Sequence, residues 1–543
     1  MKYLLAVCVG GCAVAFSVFL QASAQTPPGE NVERMDPAAR DEPPPLSAPA
    51  QLPAISADIA APQLSGAPIT LIRFEGAAVP AAVARAAEPF VGKPIAIETL
   101  QALTTAMSAA YGRSTVALFT IVVPEQNFAE GVVRVLVAEG YVESAILTGE
   151  TKGRDMALVK AYAARIAAER PTSRATLERY LSLINQIPGL KAEAKLQTGS
   201  RKGAVRLVLD LDYKRPTASF GFDNRTSRFV EDGQFSAEGK VFGLLREGDE
   251  TRLNFSAAVN FEDSLYAGLQ HSTPALRDGA RLDIGVAALK SRPRDVPIVG
   301  DAQIYSVGAS YPVFLSYRRS LNLRASAEAL NSDNAAFGSL LAEERTRSLR
   351  FAARYAQSGP RHSAALTAGL SRGFEVFGAR VTEPLGRPGY LKARGEVSIA
   401  RKISGRGLLR LSAAGQWTQD TLPANERFSV GGANFGRAFE TGLVSADRGF
   451  AVLAEPAVRP FRTGPLAKSE LYAFADYAQA SILPRGAATM QTTDLGSAGF
   501  GIRAAMRDRA TLELEFAHPY DRPADSYPGG WRVSVRWKVN FRP

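Results

Sequence analysis

The sequence has few of the residues on which catalytic and metal sites most often depend. Its 543 residues include only two cysteines and three histidines. Both cysteines, Cys8 and Cys12, precede Ala24, after which we predict cleavage of a signal peptide. The mature chain then has no cysteine, which excludes a disulfide framework and any cysteine-ligated metal site.

Motifs for catalysis are missing as well. No HExxH, P-loop or GxSxG pattern occurs. A serine–histidine lipase built on a barrel would have to use His518, but no serine is marked as its partner, and His518 beside Pro519 is typical of a strand end. Gly431-Gly432 is followed by neither the helical pattern nor the lysine of a phosphate loop. We therefore predict that the protein is not an enzyme and has no catalytic residue, metal or cofactor.

Long apolar runs are confined to the start of the chain. Met1-Lys2, the apolar run Tyr3 to Leu20 and the small residues Ala22-Ser23-Ala24 are typical of a secretory signal peptide over residues 1–24. After Leu20 no apolar run reaches the ~18 residues that a membrane helix needs. An exported chain of this kind could cross a membrane only as a β-barrel.

The charge of the chain restricts its partners. The formal net charge is +11 and the pI is about 9.6. Such a charge suits nucleic acid, an anionic membrane surface or a lumen lined by cations. Because the chain is predicted to be exported, we expect no nucleic-acid partner.

The last stretch of the chain is a strongly alternating segment. Over residues 531–541 the odd positions are apolar and the even positions are polar or cationic. The apolar residues are Trp531, Val533, Val535, Trp537, Val539 and Phe541. This length and period match a tilted strand that crosses a membrane, with aromatic residues near both ends. Taken alone, the segment fits an edge strand of a soluble sandwich equally well.

The same alternation recurs from Pro216 onward. Roughly sixteen segments of about ten residues place apolar side chains on one face and polar or charged side chains on the other; Leu321–Ala329 and Leu409–Trp417 are examples. Periodicity does not distinguish a sandwich from a barrel. The signal peptide, the absent cysteines and the number of segments favour a transmembrane barrel over residues 216–543.

Two α+β units are predicted before the barrel. Residues 69–140 show a strand, two helical stripes and two strands, and residues 141–215 repeat this βααββ order. The preceding residues, 25–68, are rich in proline and alanine. We expect this segment to be a linker that either partly plugs the pore or simply tethers the chain.

Short motifs in these units carry a family resemblance. Pro124-Glu125-Gln126 follows a strand, Glu139-Gly140 closes the first unit, and Leu177-Glu178-Arg179-Tyr180 precedes Ile187-Pro188-Gly189. The chain from about Ile69 onward resembles two-partner secretion transporters of the haemolysin-activator type. The resemblance implies two periplasmic POTRA domains followed by a 16-stranded antiparallel barrel in the Gram-negative outer membrane.

The resemblance also implies a set of site residues. A long connection, about residues 425–446, is similar to the family's lid loop, with Gly436, Arg437 and Phe439 at the position of its motif. Phe474 and Asp476 resemble a barrel-wall signature, and the resemblance places Arg437 against Asp476 inside the lumen. In a narrow, partly dehydrated lumen we expect the two to form a bidentate guanidinium–carboxylate ion pair. Trp537, Val539 and Phe541 correspond to the closing-strand signal read by the barrel-assembly machinery, although Arg542 and Pro543 follow here.

The function implied is export of a large, β-rich partner protein. The partner, unfolded in the periplasm, would dock on POTRA sheet edges by strand addition and then pass through the barrel. One alternative is an assembly factor of the same superfamily, which acts on outer-membrane proteins or autotransporters. Another is a diffusion porin, which would not need the α+β units. Besides the partner protein, we expect contacts with outer-membrane lipid and with the barrel-assembly machinery.

Overall fold

The computed structural model describes most of the chain that follows the Pro/Ala-rich segment. The described residues are 58–59, 66–128, 130–150, 156–201, 203–230, 232–294, 297–337 and 339–541. The predicted signal peptide and almost all of the predicted plug or tether lie outside these residues. No helix among the described residues is long and apolar enough to cross a membrane.

The first α+β unit has a four-stranded sheet covered by two helices. Its elements are β1 (Asp58–Ile59), β2 (Leu71–Gly76), α1 (Ala81–Ala87), α2 (Ile97–Tyr111), β3 (Phe119–Val123) and β4 (Val132–Glu139). The sheet order is β1-β3-β4-β2, and only the β3–β4 pair is antiparallel. The stripe predicted on α2 is buried, because Leu100, Leu103 and Met107 recur at helical spacing and face the sheet.

The second unit repeats the order with a three-stranded sheet. Its elements are β5 (Tyr141–Gly149), α3 (Ala157–Ala167), α4 (Arg174–Asn185), β6 (Leu190–Thr198) and β7 (Ala204–Tyr213). The sheet order is β5-β7-β6, so β6 is an edge strand among the described residues. The Ser173 hydroxyl caps α4 by accepting a hydrogen bond from the Thr176 N–H at 3.2 Å. Leu177, Leu181 and Ile184 are buried in the core of the unit.

The remainder of the chain closes into a barrel of sixteen main strands. They are β8 (Thr217–Asp223), β9 (Gln234–Phe242), β10 (Glu250–Ala258), β11 (Ser264–Pro274), β12 (Arg281–Ser291), β13 (Ile298–Leu315), β14 (Arg319–Ala336), β15 (Ser339–Ser358), β16 (His362–Gly373), β18 (Leu391–Lys402), β19 (Gly407–Thr418), β22 (Arg448–Val458), β23 (Glu470–Ile482), β24 (Gln491–Met506), β25 (Ala510–Asp521) and β26 (Arg532–Phe541). The short strand β17 (Arg380–Val381) pairs with β15. Antiparallel pairing of β26 with β8 closes the ring. The predicted fold class, two α+β units followed by a sixteen-stranded barrel, is confirmed.

Alternation along the strands separates two faces of the barrel wall. On β12 the apolar side chains of Leu282, Ile284 and Val286 are exposed on the outer face, whereas Asp283 and Ser291 are buried on the inner face. In a membrane this arrangement places the apolar face towards lipid and the polar face towards the lumen.

One end of the barrel is attached to the second α+β unit. The Glu247 carboxylate accepts hydrogen bonds from the backbone N–H groups of Leu158 (2.6 Å) and Val159 (3.4 Å) at the start of α3. Arg179 on α4 donates to the carbonyl oxygens of Asp278 (3.0 Å) and Val313 (3.2 Å). The short hairpin connections of β9–β10 and β11–β12 therefore lie at the end that holds the α+β units. The longer connections, including the predicted lid loop, lie at the opposite end.

Candidate functional site

The connection between β19 and β22 folds inward as a hairpin. It contains β20 (Phe428–Val430) and β21 (Val444–Ala446), which pair antiparallel. Two glycines shape the tip. Gly431 has a φ of 104°, and a Cβ there would collide with the Glu440 carbonyl oxygen. Gly436 has a φ of 72°, a conformation that favours glycine. The tip is consequently a compact turn with a defined direction.

Asp476, on the inner face of β23, holds the backbone of this tip. Its Oδ1 accepts the Gly436 N–H at 2.9 Å, and its Oδ2 accepts the Arg437 N–H at 3.3 Å. Ser497, directly opposite on β24, donates its hydroxyl to the same carboxylate at 2.8 Å. Asp476 is buried, so these hydrogen bonds replace its contacts with water.

The Arg437 side chain points past Asp476 to two glutamates. Its Nη1 lies 2.9 Å from Glu455 Oε2 on β22 and 3.1 Å from Glu515 Oε2 on β25. The guanidinium also lies over the Phe474 ring, 4.7 Å from its centroid. Arg437 is 8% exposed, Glu455 2% and Glu515 0%, so the tip places a buried cation between two buried carboxylates.

The predicted bidentate ion pair between Arg437 and Asp476 is therefore wrong. The two residues meet, but through the Arg437 backbone and not through its guanidinium. The physical reason is that two backbone N–H groups and the Ser497 hydroxyl already occupy the Asp476 carboxylate. The guanidinium extends along the Phe474 ring to Glu455 and Glu515, whose donors are side chains and not the backbone of the loop.

The two glutamates belong to a continuous ionic network on the inner wall. Glu455 also contacts Arg410 at 2.8 Å and Arg503 at 3.5 Å. Tyr472 donates its hydroxyl to Glu515 at 2.9 Å. Further ion pairs join Arg503 to Glu513 (3.1 Å) and Glu470 (3.0 Å), and Arg225 to Asp223 (3.1 Å), Glu515 (3.6 Å) and Glu513 (3.7 Å). Each buried charge has an opposite charge beside it, which is the condition for burying ions at tolerable cost.

The third motif residue, Phe439, fixes the other side of the tip. Its side chain is fully buried, and its ring centroid lies 5.4 Å from that of Tyr527 in the β25–β26 connection. Thr441 donates its N–H to the Thr226 carbonyl oxygen at 3.0 Å and its hydroxyl to the Arg225 carbonyl oxygen at 2.8 Å. The tip is thus held both by the wall and by the residues that follow β8.

The base of the loop has its own buried ion pairs, which the sequence analysis did not identify. Asp447 accepts from Arg485 at 2.6 Å and from the Leu422 N–H at 2.7 Å. Glu426 lies 2.8 Å from Arg350 and 2.7 Å from Lys392. Release of the loop would therefore have to break contacts both at its tip and at its base.

The residues missed by the sequence analysis left a weak signal. Glu455 and Glu515 occupy inward positions on alternating strands, as do many other charged residues, so alternation alone did not single them out. Gly499 and Gly501 on β24 offered a sharper indication. A Cβ at Gly499 would lie 2.7 Å from the Phe474 ring, and one at Gly501 would lie 2.5 Å from the Tyr472 hydroxyl. These glycines make room for the two aromatic side chains of the network.

The closing-strand residues lie away from the lid loop. Trp537 packs on the outer face against Phe220 and Phe222, with centroids 5.5 and 6.5 Å apart. Val539 pairs with Phe220, and Phe541 pairs with Ala218 at the seam between β26 and β8. Their role as an assembly signal stays a prediction.

Among the described residues, no cluster of histidine, cysteine, aspartate and glutamate is arranged to hold a metal ion.

These features define a class of protein: a closed β-barrel that carries α+β units at one end and has a loop fixed to its inner wall. The family model described as haemolysin secretion/activation protein ShlB/FhaC/HecB matches residues 203–504, more than half of the 543 residues, and the chain belongs to this family. The model for a POTRA domain of the ShlB type matches residues 67–140. Members of this family are transporters.

Individual relatives agree with this assignment. The heme/hemopexin transporter protein HuxB of Haemophilus influenzae is 24% identical over 200 residues, which cover 37% of this chain and only 35% of that relative. CdiB from Escherichia coli is similar in structure, with a TM-score of 0.69, 19% identity, and coverage of 91% of this chain and 94% of CdiB. CdiB from Acinetobacter baumannii has a TM-score of 0.62, 14% identity, and coverage of 92% and 95%. At these identities the structural likeness shows a shared fold.

Proposed function

We propose that the protein is an outer-membrane transporter that exports a large, β-rich partner protein from the periplasm to the cell surface. Family membership supports a role in protein secretion. The observation that carries the proposal is the arrangement of the barrel. A sheet domain is attached at one end, and an inward loop is fixed to the inner wall by hydrogen bonds and ion pairs. We place the α+β units in the periplasm and the longer loops outside.

A comparison of secreted proteins tests this function against its alternatives. We expect that removing the gene eliminates one large protein from the culture medium while the levels of other outer-membrane proteins stay unchanged. Loss of many outer-membrane proteins would instead indicate the assembly factor. Unchanged secretion together with reduced uptake of small solutes would indicate the diffusion porin. Restoring the gene on a plasmid is the control for each outcome.

The edge strand β6 supports the proposed docking of the unfolded partner. Among the described residues, β6 pairs with β7 on one side only. Ala192 directs its N–H away from β7, to the Asn185 side-chain oxygen at 3.1 Å. Since alternate residues of an antiparallel strand face the same neighbour, the backbone groups of Ala194 and Leu196 also point outward. These groups could pair with an added strand.

A pair of adjacent proline substitutions tests this docking edge. Ala194→Pro removes an outward donor and should weaken binding of an unfolded partner segment about fivefold, since one hydrogen bond contributes ~1 kcal/mol. Thermal unfolding of the domain should stay nearly unchanged. Lys195→Pro is the matched control, because it removes a bond to β7 and should lower the melting temperature. Full binding and secretion by a folded Ala194→Pro protein would rule out strand addition at β6.

We propose further that residues 25–68 restrict the pore. Deletion of Gln25 to Gly66 should raise single-channel conductance in planar bilayers, while the barrel keeps its heat-dependent shift on gels. Unchanged conductance would leave the segment as a tether only. We expect the barrel-assembly machinery, which would recognise Trp537, Val539 and Phe541, to insert the full-length protein and the deletion variant equally well.

A further inference from the structure

On the outer face of β15 and β16 the continuous apolar row ends in arginines, beyond which Leu340 and Leu341 of β15 are exposed again. Leu349, Phe351 and Leu370 are exposed there, and Phe351 lies opposite Leu370 in the β15–β16 pair. The apolar residues are replaced by arginines towards the end of the barrel that is remote from the α+β units. Arg372 lies opposite Leu349, and Arg347 is the next outward residue of β15.

Two further arginines continue this outward row. Arg345 lies on the same face of β15, one outward position beyond Arg347 towards the barrel end remote from the α+β units. It lies opposite Arg380 of β17. The four residues Arg345, Arg347, Arg372 and Arg380 form what we call the arginine patch. The patch begins where the apolar band ends, which is the level of lipid headgroups if the band spans the hydrocarbon core.

Nearby acidic residues neutralise only half of the arginine patch. Glu343 binds Arg380 through two hydrogen bonds of 2.6 Å and lies 3.2 Å from Arg345. Asp333 lies 2.8 Å from Arg345. The patch and these two carboxylates therefore carry a formal charge of +2, the difference between four cations and two anions.

The excess charge resides on Arg347 and Arg372. Arg347 donates to three neutral groups: the carbonyl oxygens of Leu330 at 2.9 Å and Thr346 at 2.7 Å, and the Asn331 side-chain oxygen at 3.0 Å. Arg372 is exposed, and its side chain makes no hydrogen bond or ion pair with the part of the chain that the structure describes. These two guanidinium groups are available to an external anion.

The corresponding rim on the other side of the barrel has different chemistry. There Asp494 on β24 accepts hydrogen bonds from the Tyr477 hydroxyl at 2.8 Å and the Gln479 amide at 2.9 Å. Arg448 on β22 also faces outward at this rim, and its guanidinium donates to the Met490 sulfur at 3.2 Å. Four outward arginines thus lie together on β15–β17, whereas strands β22–β24 carry one at this end of the barrel.

We propose that the arginine patch binds the phosphate groups of an anionic lipid of the outer leaflet, of the lipid A class. Guanidinium groups bind phosphate oxygens in bidentate geometry, and a lipid anchored beside Leu349 and Phe351 would present its phosphates at this level. The inference rests on the proposed outer-membrane placement. It adds a lipid site on the outside of the barrel, separate from the lid loop.

Lipid retention by the purified full-length protein tests the proposal. Native mass spectrometry of protein extracted in mild detergent should show bound lipid A species on the wild type. Arg347→Gln with Arg372→Gln should retain at least fivefold less. Arg401→Gln is the matched control, because Arg401 is exposed on the outer face of β18 near the opposite rim. It should retain lipid as the wild type does.

Adding defined compounds to delipidated protein identifies the source of the phosphate. Bisphosphorylated lipid A should raise the melting temperature of the wild type more than dephosphorylated lipid A or inorganic phosphate does. Equal stabilisation by inorganic phosphate would overturn the lipid assignment. Undiminished lipid retention by the double variant would overturn the site. Secretion by the same cells separates the two proposals, since lipid binding could fail in a protein that still exports its partner.

Discussion

Arg437→Ala should reduce export of the partner at least tenfold while the barrel still inserts into the membrane. The substitution removes the cation between Glu455 and Glu515, which lies 2.9 and 3.1 Å from their oxygens. Removing one partner of a buried ion pair costs ~3–5 kcal/mol, mainly because the remaining charge is left buried. Arg410 and Arg503 still compensate Glu455, and Glu515 keeps Arg225 at 3.6 Å, so we expect the barrel to fold and the loss to weaken mainly the contact between the loop tip and the wall.

A single introduced cysteine reports the position of the loop in this variant. Ala438 is buried at the tip, and the predicted mature chain has no cysteine, so Ala438→Cys should react slowly with a maleimide in the otherwise wild-type protein. Adding Arg437→Ala should accelerate labelling. Arg437→Lys should be intermediate, because lysine keeps the charge but lacks the planar guanidinium that lies over the Phe474 ring and brings Nη1 to both carboxylates. Wild-type secretion and slow labelling in Arg437→Ala would contradict this role of the arginine.

The sequence was sufficient for the architecture because each element has a strong local signal. The period of α4, with Leu177 and Ile184 on one face, predicts a helix packed on a sheet, and the structure buries both residues. Strict alternation in β26 predicts a strand with two faces. Closure of the ring is a different matter. The pairing of β26 with β8 joins residues more than three hundred positions apart, so no local sequence pattern can predict it.

The site was predictable only in part for the same reason. Arg437 and Asp476 were identified from motifs, and the structure brings them together. Which atoms meet depends on how many donors already surround each carboxylate. The Ser497 hydroxyl and the backbone N–H groups of the tip occupy the acceptor positions of the Asp476 carboxylate, and the guanidinium binds Glu455 and Glu515 instead. Such competition between acceptors on different strands has no signature in a linear pattern.

Asp476→Ala should impair export about as strongly as Arg437→Ala, but through the loop backbone. It leaves the N–H groups of Gly436 and Arg437 and the Ser497 hydroxyl without their acceptor. Each buried group left unsatisfied costs ~1–3 kcal/mol. Asp476→Asn should be milder, since the amide keeps one oxygen that can accept from the tip. Labelling of Ala438→Cys should follow the same order, fastest in Asp476→Ala.

The exchange of charges between the two positions separates this arrangement from a direct ion pair. Arg437→Asp combined with Asp476→Arg should recover nothing. A guanidinium at position 476 would face the backbone N–H donors of the tip, and a carboxylate at position 437 would face Glu455 and Glu515. Like charges this close repel, and donors that face donors form no hydrogen bond. Secretion by the exchanged protein above that of either single variant would show that the two side chains pair directly during export.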